Sequence, residues 1–308
     1  MAHVREMSRN TGVNRPMKTL KEMRHALLLL PLVLAVLLAV PAVALAAQPT
    51  VNLGTTSSFA VLAGSTITNT GPTTISGDAG GNVGLYPGTS FPGEAQVTLS
   101  GTVHLADSVA CAAKDDLVAA YNDAAGRTPV TQIPTELGGT TLTPGVYASA
   151  SGTFQITGTL TLDAQGDPNG VFVFKTVSDL VTASGSNVSL LNSARYCRVF
   201  WKVGSSATLG TGSHFVGHLF ALTSISAQTG ATIQGQLLAR NGQVSLDTNT
   251  ITNGYCSTIS SGGTGGSTIP TTATPWYNIL LAGVVLTVIG GIGAIALKSR
   301  KRKKQEVA

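Results

Sequence analysis

The residue types that carry most protein chemistry are thinly spread in this 308-residue chain. His214 and His218 have the His-x3-His spacing that serves some zinc sites when it falls on a helix. The residues around them are β-prone instead, and at ~3.3 Å per residue the two rings would stand about 13 Å apart, too far to share a metal. His104, just ahead of an alanine-rich segment, has no evident partner. Asp163 and Asp167 are the closest loop carboxylates, the kind of pair that glycoside hydrolysis requires. The stretch Asp163-Ala164-Gln165-Gly166-Asp167-Pro168-Asn169-Gly170, however, reads as a turn. No Ser/His/Asp set can be argued and no phosphate-cradling glycine loop follows a strand, so no catalytic residue, metal site or cofactor is assigned.

What the chain repeats is hydroxyls. Thr-x-Thr runs occur at Thr66-Ile67-Thr68, Thr141-Leu142-Thr143, Thr157-Gly158-Thr159 and Thr248-Asn249-Thr250, and strand residues two apart face the same way. Four segments also align: Ser184-Gly185-Ser186-Asn187, Thr211-Gly212-Ser213-His214, Thr229-Gly230-Ala231-Thr232 and the shorter Thr248-Asn249-Thr250. An apolar residue follows each: Val188, Phe215, Ile233 and Ile251. Their first positions lie 27, 18 and 19 residues apart. That spacing suits one coil of a parallel β-solenoid, with an insertion in the longer one. Stacked coils repeat every ~4.7–4.9 Å, so equivalent side chains form rows.

The candidate contact residues are therefore Ser184, Ser186, Asn187, Thr211, Ser213, His214, Thr229, Ala231, Thr232, Thr248 and Thr250. Two readings compete: rows that meet a periodic ligand, or threonine used simply as a strand former. A geometric tension accompanies the first. The outer residues of Thr-Gly-x-Thr are three apart and would face opposite ways on an unbroken strand. Either the glycine bends the chain or only one Thr of each pair reaches the ligand.

The elements that must position these rows are mostly strands. From Val51 to about Thr258 the chain is rich in Gly, Thr, Ser, Val, Leu and Ala, with short β-prone runs such as Phe59–Ala63 and Val171–Lys175 between Gly- or Asn-bearing turns. Ala106–Ala125 breaks the pattern. Val109, Ala113, Leu117 and Tyr121 recur every four residues, predicting an amphipathic helix with Asp107 near its start, Gly126 as its stop, and Asp115, Asp116 and Asp123 on its wet face. The fold class expected is all-β dominated, a parallel β-solenoid with one long helix.

Both ends look like targeting segments. Residues 1–47 read as a secretory signal: a basic leader, an apolar run over Ala26–Val43, and the small-residue site Ala44-Leu45-Ala46, with Met17 as an alternative start. Residues 259–275 are a Gly/Ser/Thr/Pro stalk. Residues 276–297 form an expected transmembrane anchor opened by Trp276-Tyr277, and the basic tail 298–308 is its cytoplasmic flank. The folded domain, 48–258, then holds seven basic and eleven acidic residues, a net charge of −4. Nucleic acid is not an expected partner for so sparse and mildly acidic a surface. The localisation expected is extracellular, with a monomeric ectodomain tethered to the membrane or cell envelope. Cys111 reads as a buried helix thiol; Cys197 and Cys256 flank a block of strands and are the expected disulfide pair, although sequence does not fix connectivity.

The string Leu53-Gly54-Thr55-Thr56-Ser57-Ser58-Phe59-Ala60-Val61-Leu62-Ala63-Gly64-Ser65 resembles the opening of the microbial ice-binding-like (antifreeze) proteins. The likeness continues through Ala120-Tyr121-Asn122-Asp123-Ala124, Leu142-Thr143-Pro144-Gly145-Val146-Tyr147, Val203–Thr211, Leu237–Gly242 and Leu246–Ile251, nearly the whole ectodomain. It implies a right-handed, discontinuous β-solenoid of triangular section with the helix packed alongside, and one flat face that adsorbs to ice. Some members carry Thr, then Ala or Gly, any residue, then Thr or Asn on that face. Thr229–Thr232 fits in full, Ser184–Asn187 departs at its first position and Thr211–His214 at its last. The implied partner is the ice surface. Ile269-Pro270-Thr271-Thr272-Ala273 resembles a sortase signal but departs at its ends, so a retained anchor is expected. The alternatives are an adhesin that binds glycans or cells on the same scaffold, and a polysaccharide-active enzyme.

Overall fold

The structure, a computed structural model, describes residues 48–256. The expected signal, stalk, span and tail lie outside the described residues, among which no helix is long and apolar enough to cross a membrane.

Parallel strands wind into a coil with three sides, here called a, b and c in the order the chain visits them. Side a is a six-stranded sheet in the spatial order Phe154–Ile156, Leu180–Thr182, Ala207–Leu209, Ile225–Ala227, Val244–Asp247, Ile67–Thr70. Side b runs through Thr159–Asp163, Asn187–Leu191, the first halves of His214–Ala221 and Thr232–Ala239, then Thr250–Thr252, Thr73–Ser76 and Val97–Leu99. Side c contains Gly145–Ser149, Phe172–Thr176, Val199–Val203, the second halves of the two long strands, then Phe59–Ala63 and Asn82–Leu85. Stacking order is not chain order. The N-terminal strands of all three sides lie directly beyond the last coil, through Val61 against Leu237, Ile67 against Val244 and Thr74 against Thr250.

Burial follows from which faces are covered. Strands of sides a and b alternate, as in Ile225-Ser226-Ala227 (buried, half-buried, buried) and Thr250-Ile251-Thr252 (exposed, buried, exposed). Strands of side c are buried on both faces, Phe59–Ala63 completely, because the helix covers their outer side. One apolar cluster fills the coil around an aromatic stack. Tyr147, Phe174, Trp201 and Phe215 follow one another with ring centroids 5.5, 4.0 and 5.4 Å apart, and the Trp201 indole N–H donates to the Val216 carbonyl. A second cluster joins Phe59, Leu62, Phe200, Phe220 and Leu238 to Leu117, Tyr121 and the small residues of the helix.

The helix spans Ser108–Gly126 with Asp107 as its N-cap, accepting from the Ala110 amide; the same carboxylate holds His104, 2.7 Å away. Its buried face is Ala110, Ala113, Lys114, Leu117, Ala120, Tyr121 and Ala124. Val109, expected on that face, is 46% exposed. The spacing by four drifts off a 3.6-residue turn, and the stripe starts one residue later. Asp115 and Asp123 are exposed as expected. Asp116 instead accepts from the Thr55 amide and hydroxyl, and those hydrogen bonds hold its carboxyl below the usual range. Lys175 donates to the carbonyls of Ala125 and Arg127, completing the helix C-terminus. Cys111, expected to be buried, is a half-buried free thiol, since its position turns off the buried face.

Cys197 and Cys256 are joined, with Cα atoms 5.5 Å apart and 59 residues between them in sequence. Closing a loop of that length stabilises the fold by about 4 kcal/mol on the chain-entropy view. Beside the bridge, His218 is buried. Its Nδ1 lies 2.6 Å from Gln236 Oε1, and the Gln236 amide donates to the carbonyls of Thr56 and Phe59, tying the N-terminal segment to the last coils. Burial drives the imidazole down to about 4, against the opposing pull of its hydrogen bonds to Gln236 and the Cys197 backbone.

An unfolded chain takes up that proton near pH 6.5. Stability is therefore lost as the pH falls from about 6.5 to about 4, by about 3 kcal/mol in all, while above that window the group has no effect. Urea denaturation at pH 7 and pH 4 is expected to show this loss in the wild type and not in His218→Asn. An equal loss in both would assign acid sensitivity to other groups.

Candidate functional site

The corner between sides a and b is built by the repeated Thr-Gly-x-Thr segments, and its geometry resolves the tension in their spacing. Gly185, Gly212 and Gly230 have φ of 66, 62 and 70°, the left-handed conformation that glycine adopts without strain. The residue before each glycine projects from the corner, the one after it turns inward, and the fourth opens side b facing outward. In the shortened segment Thr248 itself takes φ 53°. The Asn249 amide donates to the carbonyls of Gln228 and Ala231, filling the place of the missing residue. The ladder continues through the turn, with Gly185 N–H donating to Thr211 O and Gly212 N–H to Thr229 O, both at 2.9 Å.

The sequence-predicted residues consequently separate into three groups. Asn187, His214, Thr232 and Thr250 stand in register as consecutive members of one outward row on side b. Ser184, Thr211, Thr229 and Thr248 are exposed along the corner. Ser186, Ser213 and Ala231 are 3, 1 and 0% exposed. These three cannot meet a ligand, because the left-handed glycine rotates the next side chain into the core.

The row is longer than the repeats indicate. Thr159 precedes Asn187, and Thr74 and Thr98 follow Thr250, giving Thr159, Asn187, His214, Thr232, Thr250, Thr74 and Thr98 on neighbouring rungs. Adjacent members are ~4.8 Å apart by strand spacing. Thr161, Ser189, Gln234, Thr252 and Ser76 lie two residues further along the same strands. Neither row contains Asp, Glu, Lys or Arg. Thr159 was signalled by Thr157-Gly158-Thr159, a segment one residue shorter than the Thr-Gly-x-Thr repeats. Thr74 and Thr98 carried no repeat signal, since their strands stack out of chain order.

The other surfaces are less uniform. On side a the central outward row is Gln155, Val181, Thr208, Ser226, Ser245 and Thr68. It is uncharged but mixed in size, with Asp179 and Asp247 at its margins. The Asp247 carboxylate accepts from the Thr229 and Thr248 hydroxyls, at 2.5 and 3.0 Å, so two corner hydroxyls are already committed. Side c is covered by the helix.

His214 and His218 lie on either side of the bend between b and c, one exposed and one buried. No group of three or more His, Cys, Asp or Glu that could hold a metal occurs among the described residues. A cavity of about 680 Å³ beside Tyr147 and Pro144 has Asp167 as its one carboxylate and no His, Cys, Lys or Arg. Asp163 and Asp167 each accept the backbone N–H two residues on, the turn role expected of them.

Residues 61–252 match the family model described as ice-binding-like. The chain is 47% identical over 203 residues to an ice-binding protein of Nostoc sp. (strain HG1), covering 65% of this chain and 73% of that protein. Among solved structures it is similar to an ice-binding protein from an Antarctic biological consortium, with 44% identity, a TM-score of 0.64, and coverage of 67% of this chain and 92% of that one. An ice-binding protein from the Antarctic ascomycete Antarctomyces psychrotrophicus gives 39% identity and a TM-score of 0.62, covering 67% of this chain and 98% of that one.

Proposed function

The chain belongs to the ice-binding-like family, and from that premise we propose that it adsorbs to ice through side b. The single observation that carries the choice of surface is the seven-rung row Thr159–Asn187–His214–Thr232–Thr250–Thr74–Thr98, outward-facing, in register and free of Asp, Glu, Lys and Arg. Each threonine offers a methyl and a hydroxyl, and the strand ladder repeats them at ~4.8 Å, close to repeat distances in ice. The rungs are held by backbone hydrogen bonds and by inward partners such as Val188, Phe215, Ile233 and Ile251. The surface is thus ordered before it meets ice, so little conformational entropy is lost on contact. Individual contacts are weak and act together. The corner residues Ser184, Thr211, Thr229 and Thr248 form the rim of this surface.

The setting we propose is extracellular, with residues 1–47 directing export and residues 276–297 tethering the domain behind the stalk. The relatives are named for ice binding and not for a reaction, and no catalytic step is proposed. The test is thermal hysteresis and ice-recrystallisation inhibition by residues 48–257, the unit that contains the sheets, both apolar clusters and the disulfide. Crystal shaping and a hysteresis gap are expected. A folded domain without either would sink the proposal and leave an adhesin on the same scaffold.

A further inference from the structure

The row on side b has one titratable member. His214 is exposed, with Asn187 and Thr232 on the neighbouring rungs. Its Nδ1 lies 2.8 Å from Thr232 Oγ1, and that hydroxyl directs its own proton to the Ser213 carbonyl, 3.4 Å away. In the Nδ1–H tautomer, which leaves the hydroxyl proton for that carbonyl, the neutral ring donates to Thr232 and keeps its lone pair on Nε2. Protonating Nε2 changes two things together. The free nitrogen turns from acceptor to donor, and a cation stands in the middle of an otherwise uncharged row.

We infer that His214 makes side b proton-responsive, the surface binding ice with the neutral imidazole and releasing it with the imidazolium. The inference rests on the ice-contact reading of side b. Ice offers no counter-ion and no mobile water to an imidazolium pressed against it, so dehydrating that ring costs far more than dehydrating a hydroxyl or an amide.

Among the described residues, none packed against His214 offsets the charge. The strands on either side, Asn187–Leu191 and Thr232–Ala239, hold no titratable side chain, and neither do the turn 210–213 and the strand Ala207–Leu209 that lead into it. On its own strand His218 lies beyond the bend, buried against Gln236, and stays neutral down to about pH 4. Across the corner, the Asp247 carboxylate keeps its charge but belongs to the coil of Thr250, two rungs from His214, where it accepts from Thr229 and Thr248.

The experiment compares purified full-length wild type with His214→Asn and His214→Thr. Thermal hysteresis is measured from pH 8 to pH 5 at constant ionic strength, and circular dichroism checks the fold at each pH. Wild-type activity is expected to fall several-fold across this range while both variants hold a constant level. An active wild type with a flat profile, or variants that fall in parallel with it, overturns the inference and leaves the ice reading intact. Proteins inactive at every pH overturn the ice reading and the inference with it.

Discussion

Thr232→Tyr is expected to leave the fold intact and reduce ice activity by about tenfold or more, equivalent to at least about 1.4 kcal/mol of adsorption free energy. Thr232 stands at the middle of the row, between His214 and Thr250, and is half-buried by its neighbours. Its strand is held by Ile233, which points into the core, so the change falls on the outer surface alone. A phenol ring there stands well above the threonine methyls and lifts several rungs away from a flat crystal at once. Because the contacts act collectively, one obstruction disables many. Ser226→Tyr, at the centre of side a, is the matched control and is expected to retain activity. Thr211→Tyr and Thr229→Tyr, at the corner, are expected to show intermediate losses. If Ser226→Tyr were inactive and Thr232→Tyr fully active, the site would move to side a.

Gly235→Val is expected to destabilise the fold by about 3 kcal/mol or more, since a β-branched residue is strained at positive φ before any clash is counted. Gly217 and Gly235 are paired at the bend where one continuous strand passes from side b to side c, with φ of 110 and 145°. A Cβ on Gly235 would lie 2.0 Å from the Gly217 carbonyl oxygen. That oxygen belongs to backbone already committed to the ladder, so it cannot move aside without breaking the pairing. The urea midpoint reports the loss, and a Val variant as stable as wild type would show that the bend tolerates a side chain. Activity is expected to fall only in proportion to the unfolded fraction, because the row itself is untouched. That separates this variant from Thr232→Tyr.

The solenoid was legible because His214, Thr232 and Thr250 sit on consecutive coils 18 residues apart, and the alanine-rich helix because nothing else in the domain has its composition. The Cys197–Cys256 pairing was expected from its position around a block of strands, and the bond between them is what fixes the connectivity. Two features were not. Ser186, Ser213 and Ala231 repeat as regularly as their neighbours, and a repeat does not say which of its members turns inward; the left-handed glycine decides that. Thr74 and Thr98 belong to coils whose neighbours come from the opposite end of the chain, so no sequence period connects them to Thr250. Periodicity exposes stacking only where stacking follows the order of the chain.

The same departure from chain order shapes how the protein is made. Val61, Ile67 and Thr74 find their partners in Leu237, Val244 and Thr250, which a ribosome adds more than 170 residues later. The first coil to be synthesised soon gains neighbours on one flank, Asn82–Leu85 and Val97–Leu99, but its other flank stays open until the last coil arrives. A linear array of repeats can nucleate anywhere and lose a terminal unit without losing the rest. This molecule is closed like a parcel whose first flap is tucked under its last. A nascent chain arrested anywhere before Thr250 holds no completed ledge of threonines to offer.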